Sequence, residues 1–519
     1  MTEQLSSSKS QGNVRLDNDI FNDGDNMGEG QFSSKLFLIV ALVIFGLFQL
    51  TLSDYIVDDT FIHLTFARNL TTGHGFAFNP DQPTNGVTAP LWTILLALFS
   101  ALFTIGPGLA KTLSIVSGAL TIPAFRSLSR RCGLSGNYAN FALLVWAANV
   151  WLARWSASGM EASFAVLLVI MSFDAHLSGK HKLSAVLLGL LVLTRPEAVV
   201  LILVFSIDNY LRGVRKIAWQ SILLSALPIL IWFGYALQNF GTIVPNPALI
   251  KSDAILPPIR DVWLGIKRTS GILFGGNGIE IFLLFVGSAM ILSSKPISSS
   301  KARLFGLLLF WSLFPAFTYI SRGVFVQSRY LLIGIPPLVI GGFLGLKMAI
   351  ENWNEFVQRR VLYSITFVLL LQQVAMTQFV TLPHIAAFKP TISALVKISE
   401  LINREAPPDA LVAVGDVGIV GFNCGRRVLD LEGLVSAEII PFRLGISLDE
   451  FILSGSFFKA GRPDYFIDKS RDPRRLENRW NAEVVEVFPI PGGLVDTADE
   501  SWYYTLYHLD RQTLTRTVD

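Results

Sequence analysis

The chain has 519 residues and a formal net charge of +3; 51% of its residues are hydrophobic and only 16% charged. Soluble domains carry about 25% charged residues, so this composition excludes an ordinary soluble domain and points to a polytopic membrane protein. So small a net charge gives no ground for nucleic-acid binding, and neither Cys132 nor Cys424 has a partner at metal-ligand spacing.

Residues 1–35 are polar, rich in Gly, Asn, Asp and Ser and without periodicity, which reads as a disordered cytoplasmic tail. The first apolar run starts at Leu36 and lacks a small-residue cleavage site, so it is expected to be a retained anchor. Apolar stretches long enough to span follow near 107–126, 137–154, 161–177, 217–237, 271–293, 304–320, 329–349 and 361–380. Short basic links carry Arg126/Arg130/Arg131, Lys180/Lys182, Arg212/Arg215/Lys216, Lys295/Lys301/Arg303 and Lys347/Arg359/Arg360. The positive-inside rule puts all five in the cytoplasm.

That placement decides two ambiguous regions. Residues 54–106 lie outside only if APLWTILLALFSALF does not cross, so 89–103 is expected to be a re-entrant or interfacial helix. Were it a true span, five basic loops would face outward. Residues 183–208 must leave and return, so they form a hairpin of two short helices with LTRPEA at its outer tip. The count is about eleven crossings: a transmembrane domain over 36–380 and an extracytoplasmic domain over 381–519. The two cysteines then lie on opposite sides of the membrane and form no disulfide.

Five polar motifs gather on the outer face: VDDTFIH (57–63), SGMEASF (158–164), TRPEA (194–198), NFGTIVPNPALIK (239–251) and SRGVFVQSRY (321–330). Asp58 and Asp59 open an amphipathic stretch expected along the membrane surface. Asp58 either caps that helix or takes a proton from a hydroxyl. His63, four residues after Asp59, shares its helix face and is expected to orient it. Arg68 reaches either lipid headgroups or a phosphate. Glu161 caps a helix or lines a cavity, and Arg195 and Glu197 pair with other charges or line the same cavity. Asn246, Lys251 and Arg329 suit a phosphate ligand, or lipid headgroups for the two cations. Beyond residue 381, LVAVGDVGIVGFNCGRRVLDLEGL reads as strand, glycine turn, helix or loop, and second strand. Its glycines do not make a dinucleotide loop, and Asp416, Asp430 and Glu432 are expected to cap turns.

These motifs in this order, with SRYLLIGIPPL and RPDYFI, resemble the GT-C superfamily of membrane glycosyltransferases over roughly residues 36 to 470. The bacterial terminal arabinofuranosyltransferase type looks most similar; lipid A aminoarabinose transferase and protein O-mannosyltransferases are more distant. Relatives often have an aromatic residue where Val87 stands. The resemblance implies juxtamembrane helices in the first outer loop and an essential acid there, a role falling on Asp58 and Asp59. It also implies a polyprenyl-monophosphate sugar donor and an acceptor hydroxyl on a glycan, lipid or protein of the cell envelope. The expected reaction is an inverting transfer with Asp58 as base, and Lys251 and Arg329 on the leaving phosphate. No cofactor is required and a divalent cation is optional. The rival expectation is a transporter or flippase for polar lipids, against which stand the gathering of ionisable groups on one face and the absence of obvious repeated halves.

Overall fold

Glycine, proline and charge interrupt the apolar runs, and the helices follow those interruptions. The computed structural model describes residues 29–250, 257–294, 299–477, 479–491 and 501–509. The first span, α1 (Glu29–Thr51), precedes two helices that lie outside the regular bundle, α2 (Asp58–Thr71) and α3 (Pro90–Phe99). With ten residues, α3 is about 15 Å long against a hydrocarbon core of about 30 Å. It cannot cross, in keeping with the re-entrant expectation for 89–103. Pro90 occupies its first turn, where a missing N–H costs nothing.

The bundle continues with α4 (Pro107–Arg131), α5 (Gly136–Ala147), α6 (Val150–Ala157) and α7 (Ala162–Leu177). The expected hairpin follows as α8 (His181–Val192) and α9 (Val199–Leu211), joined through a 3-10 turn at Pro196–Ala198. Next come α10 (Arg215–Phe240), α11 (Asn246–Ile250), α12 (Ile259–Ser293), α13 (Ser299–Ser321), α14 (Ser328–Leu331) and α15 (Ile335–Ile350). Among the described residues six helical runs are long and apolar enough to cross a membrane on their own, and shorter apolar helices such as α7 and α8 add to them. The chain is a multi-pass membrane protein.

Two helices break inside the bundle, and side chains satisfy the freed backbone groups. Between α5 and α6, Asn149 caps the new helix by accepting from Trp151 and Leu152 N–H. The Val150 N–H goes to Gln373 Oε1 at 3.0 Å, whose amide nitrogen donates to the Gly276 carbonyl at 2.7 Å. Helix α12 kinks at Asn277 (φ −144°, ψ 26°) next to that carbonyl. Beyond the kink α12 packs closely on Gly341, Gly342 and Gly345 of α15; a Cβ on Gly342 would lie 2.9 Å from the Glu280 Cα. Small residues at a helix crossing give close packing in a bilayer.

The last membrane helix, α16 (Glu355–Met376), runs through a five-residue π turn (Thr377–Thr381) into α17 (Leu382–Glu405) without leaving helical conformation. It delivers the chain to a five-stranded sheet of β1 (Leu411–Val414), β2 (Arg427–Asp430), β3 (Tyr465–Ser470), β4 (Ala482–Ile490) and β5 (Trp502–Leu509) in the order β2-β1-β3-β5-β4. The first three strands are parallel, and β5 and β4 join antiparallel. Helix α18 (Val417–Asn423) connects β1 to β2, matching the expected strand–turn–helix–strand. One sheet face packs with Phe61, Leu64, Phe66 and Trp92 of the first long loop into a common core; the other closes over Phe451, Phe457 and Tyr507.

The charge-based topology is checked with cysteines placed at exposed Lys180 and Asp409. An impermeant thiol reagent on intact cells is expected to label position 409 and spare 180, the native Cys132 and Cys424 being buried. The reverse pattern overturns the orientation.

Candidate functional site

Helix α2 carries acids in its first turn and Arg68 in its last, the arrangement its dipole favours. The Thr60 hydroxyl donates to the Ser158 carbonyl at 2.9 Å, seating α2 against the turn before α7, where Gly159 takes a φ of 81°. Successive helix residues point about 100° apart, and the two acids part company. Asp58 accepts from the Gly418 and Ile419 N–H groups of α18, at 2.8 Å each. Asp59 accepts from the Arg329 guanidinium at 2.7 Å, and its side chain is 42% exposed.

Asp59 opens on a cavity of about 370 Å³ at the ends of α2, α7, the α8–α9 hairpin, α13 and α14. Its charges alternate. Arg195 pairs with Glu161 at 2.7 Å, and the Tyr319 hydroxyl donates to Glu197 at 2.7 Å. The rings of Tyr319 and Tyr330 stack 4.4 Å apart, with the Arg195 and Arg329 guanidiniums over Tyr330. Three carboxylates (Asp59, Glu161, Glu197) face three guanidiniums (Arg195, Arg322, Arg329). Burial holds His63 below its ordinary value, so it adds no charge at neutral pH. Three buried polar atoms here, Glu161 Oε2, Arg195 Nε and Arg329 Nε, have no hydrogen-bond partner among the described residues. Buried polar groups are normally satisfied, and these three face a cavity lined by charged side chains.

A second cavity of about 270 Å³ adjoins it and is lined by Asp58, Asp59, Asp416 and Glu432. Asp59, Ile62 and Leu434 line both. Asp58 is pushed up to about 7, first by burial and then by the Asp416 charge, against the pull of its two N–H donors. Asp416 instead stays below the usual carboxylate range, because Lys469 lies 2.9 Å away and the Tyr504 hydroxyl donates to it.

In solved structures this architecture recurs. ArnT from Cupriavidus metallidurans aligns in its apo state with a TM-score of 0.61 at 16% identity, over 93% of this chain and 99% of that one. The same enzyme bound to undecaprenyl phosphate aligns with a TM-score of 0.62 at 15% identity, over the same shares. The Archaeoglobus fulgidus oligosaccharyltransferase, tethered with an acceptor peptide containing the NVT sequon, aligns with a TM-score of 0.57 at 10% identity, over 86% of this chain and 70% of that one. The fold is the GT-C glycosyltransferase fold. A family model described as a domain of unknown function, DUF8728, matches residues 385–507. No curated protein matches the sequence.

Within the GT-C fold the residues singled out from sequence separate into groups. Asp59, His63, Glu161, Arg195, Glu197 and Arg329 line the larger cavity, together with Val87. His63 does not orient Asp59: its Nδ1 shares a 2.8 Å hydrogen bond with the Thr93 hydroxyl, and its Nε2 faces Glu161. Asp58 caps α18 rather than its own helix, whose N-cap is Val57. Arg68 lines neither cavity; its guanidinium donates to the Phe422 carbonyl at 2.7 Å. Asn246 likewise stands behind the wall, donating to the Thr84 hydroxyl at 3.1 Å. Lys251 lies outside the described residues. Sequence reasoning passed over Tyr319, because a tyrosine at a helix end reads as an interface anchor. Among the described residues no three His, Cys, Asp or Glu side chains are grouped to hold a metal ion.

Asp430, fully buried as the last residue of β2, accepts from the Val435 and Glu432 N–H groups and is pushed up to about 7 by burial. A folded value above the ordinary one means the folded state holds the proton more tightly. The stabilisation is complete below about pH 4 and is lost as pH rises through 7. Asp58 acts with the same sign and Asp416 with the opposite one. Thermal unfolding midpoints of the sheet domain are expected to fall between pH 5 and pH 8, and Asp430→Asn to flatten that slope. An undiminished slope in Asp430→Asn assigns it to other groups.

Proposed function

We propose that the chain is an inverting glycosyltransferase that moves a sugar from a polyprenyl-monophosphate donor to an acceptor hydroxyl at the outer membrane face. The observation that carries this reading is the position of Asp59: it lines an arginine-bearing cavity and an acidic cavity where the two meet. The donor phosphate sits among Arg195, Arg322 and Arg329, with Lys251 of the following loop as a further candidate. The acceptor enters the acidic cavity, which repels a second anion.

The acceptor oxygen attacks the anomeric carbon from the face opposite the phosphate. The carbon–oxygen bond to phosphate breaks, polyprenyl monophosphate leaves, and the acceptor proton passes to a carboxylate; one displacement inverts the anomeric centre. From sequence, Asp58 was the expected proton acceptor. Both Asp58 oxygens are engaged by α18, which favours Asp59 for the proton and Asp58 for positioning. Arg329 pairs with Asp59 at 2.7 Å, which sets the carboxylate beside the guanidinium that meets the phosphate. Positioned cations stabilise the departing charge.

Purified protein is given radiolabelled polyprenyl-phosphate hexose or pentose with a set of octyl glycosides. Asp59→Asn is expected to slow single-turnover transfer by about 10²–10⁴-fold with donor binding intact, the usual scale for a lost general base. Asp58→Asn is expected to cost less. Arg329→Gln is expected to lose about 10²–10³-fold, as when one charge-stabilising donor is removed. Movement of labelled lipid across vesicles without bond cleavage overturns the transferase reading, and full activity of Asp59→Asn overturns its role.

A further inference from the structure

Besides the apolar core they share, side-chain hydrogen bonds among the described residues tie α18 and β2 to the first long loop at three points, and none of them is needed to build the arginine-bearing cavity. At one end of α18, Asp58 accepts from two N–H groups. At the other end Arg68, ten residues further along α2, donates to the Phe422 carbonyl and lies 4.7 Å from the Phe422 ring. The two helices run in the same direction, so their dipoles repel. A carboxylate on the N–H end of α18 and a guanidinium on its carbonyl end offset that repulsion. The third point is Asn79, a buried side chain whose amide both donates to the Val428 carbonyl and accepts from the Val428 N–H, each at 2.9 Å. β2 is an edge strand, and Asn79 supplies the pair of bonds a neighbouring strand would make.

The fit between these elements is close. A Cβ on Gly418 would collide with the Asp58 carbonyl oxygen, and one on Gly421 with the Phe78 ring. Docked this way, the sheet domain brings Gly415, Asp416, Val417, Glu432 and Leu434 to the wall of the acidic cavity. To the arginine-bearing cavity it contributes Leu434 alone. Release of the domain therefore dismantles one cavity and leaves the other nearly whole.

We infer that Arg68 and Asn79 are positioning residues for acceptor use: they act through α18 and β2 to assemble the acceptor half of the site, without touching either substrate. The inference rests on the division into donor and acceptor cavities made above. It gives the C-terminal domain a working part in transfer, as one wall of the acceptor cavity.

The test uses Asn79→Ala, Arg68→Met and Arg68→Lys in the full chain, none of which changes a cavity-lining side chain. Three quantities are read: hydrogen exchange over residues 417–423, affinity for undecaprenyl phosphate, and transfer to octyl glycosides. The expected result for Asn79→Ala and Arg68→Met is faster exchange in 417–423, unchanged undecaprenyl phosphate affinity and an acceptor KM raised about tenfold, the order expected for a buried backbone group left unpaired. Arg68→Lys is expected to recover part of the KM. Unchanged exchange overturns the clamp. Faster exchange with an unchanged acceptor KM, or with an equal loss of undecaprenyl phosphate affinity, overturns the positioning role. If the wild type transfers no sugar, the functional reading fails by itself, and the exchange and lipid-affinity measurements still decide the clamp.

Discussion

In a bilayer no water waits to satisfy a broken backbone, and this constraint organises the whole molecule. A cavity needs irregular chain, because regular spans pack side by side and leave no room. Here two of the irregularities come with side chains that close them. Asn149 and Gln373 take the N–H groups freed between α5 and α6, and Gln373 also holds the Gly276 carbonyl at the α12 kink. Short helices add to this: residues of α11 and α14 line the larger cavity. The ends of helices are where charges gather, so the two cavities inherit their acids and guanidiniums from the same interruptions that open them.

Charge balance follows from that origin. The larger cavity holds equal numbers of carboxylates and guanidiniums, since an uncompensated charge beside a membrane is costly. Of the pairs, Glu161–Arg195 is buried on both sides, whereas Asp59 is partly open to the neighbouring cavity. Among the described residues the charges lining this cavity therefore balance.

Much of this was legible in the sequence, for identifiable reasons. Hydrophobic length gave away the spans, and loop charge alone separated residues 89–103 from a true crossing. The clustering of Glu161, Arg195, Glu197 and Arg329 was readable as motifs gathered on one face. Their pairing was not, because Glu161 and Arg195 meet only through the packing of α7 against the hairpin. Asp58 and Arg68 were harder still: their partners lie more than 350 residues away in α18. The amphipathic stretch that contains them looks the same whether lipid or a protein domain covers it. Local pattern shows that a face is covered, and says nothing of by what.

The helical run from Glu355 to Glu405 has a consequence of its own. Its 51 residues make a rod about 75 Å long, rooted among lipid at one end and carrying the sheet at the other. A rod turns small angles into large displacements: a tilt of about 5° along the 24 residues of α17 moves its far end by roughly 3 Å. That is the scale of a hydrogen bond. Bilayer thickness, to which a span that is too long responds in part by tilting, thereby becomes a quantity that the seat of the sheet on α2 has to withstand.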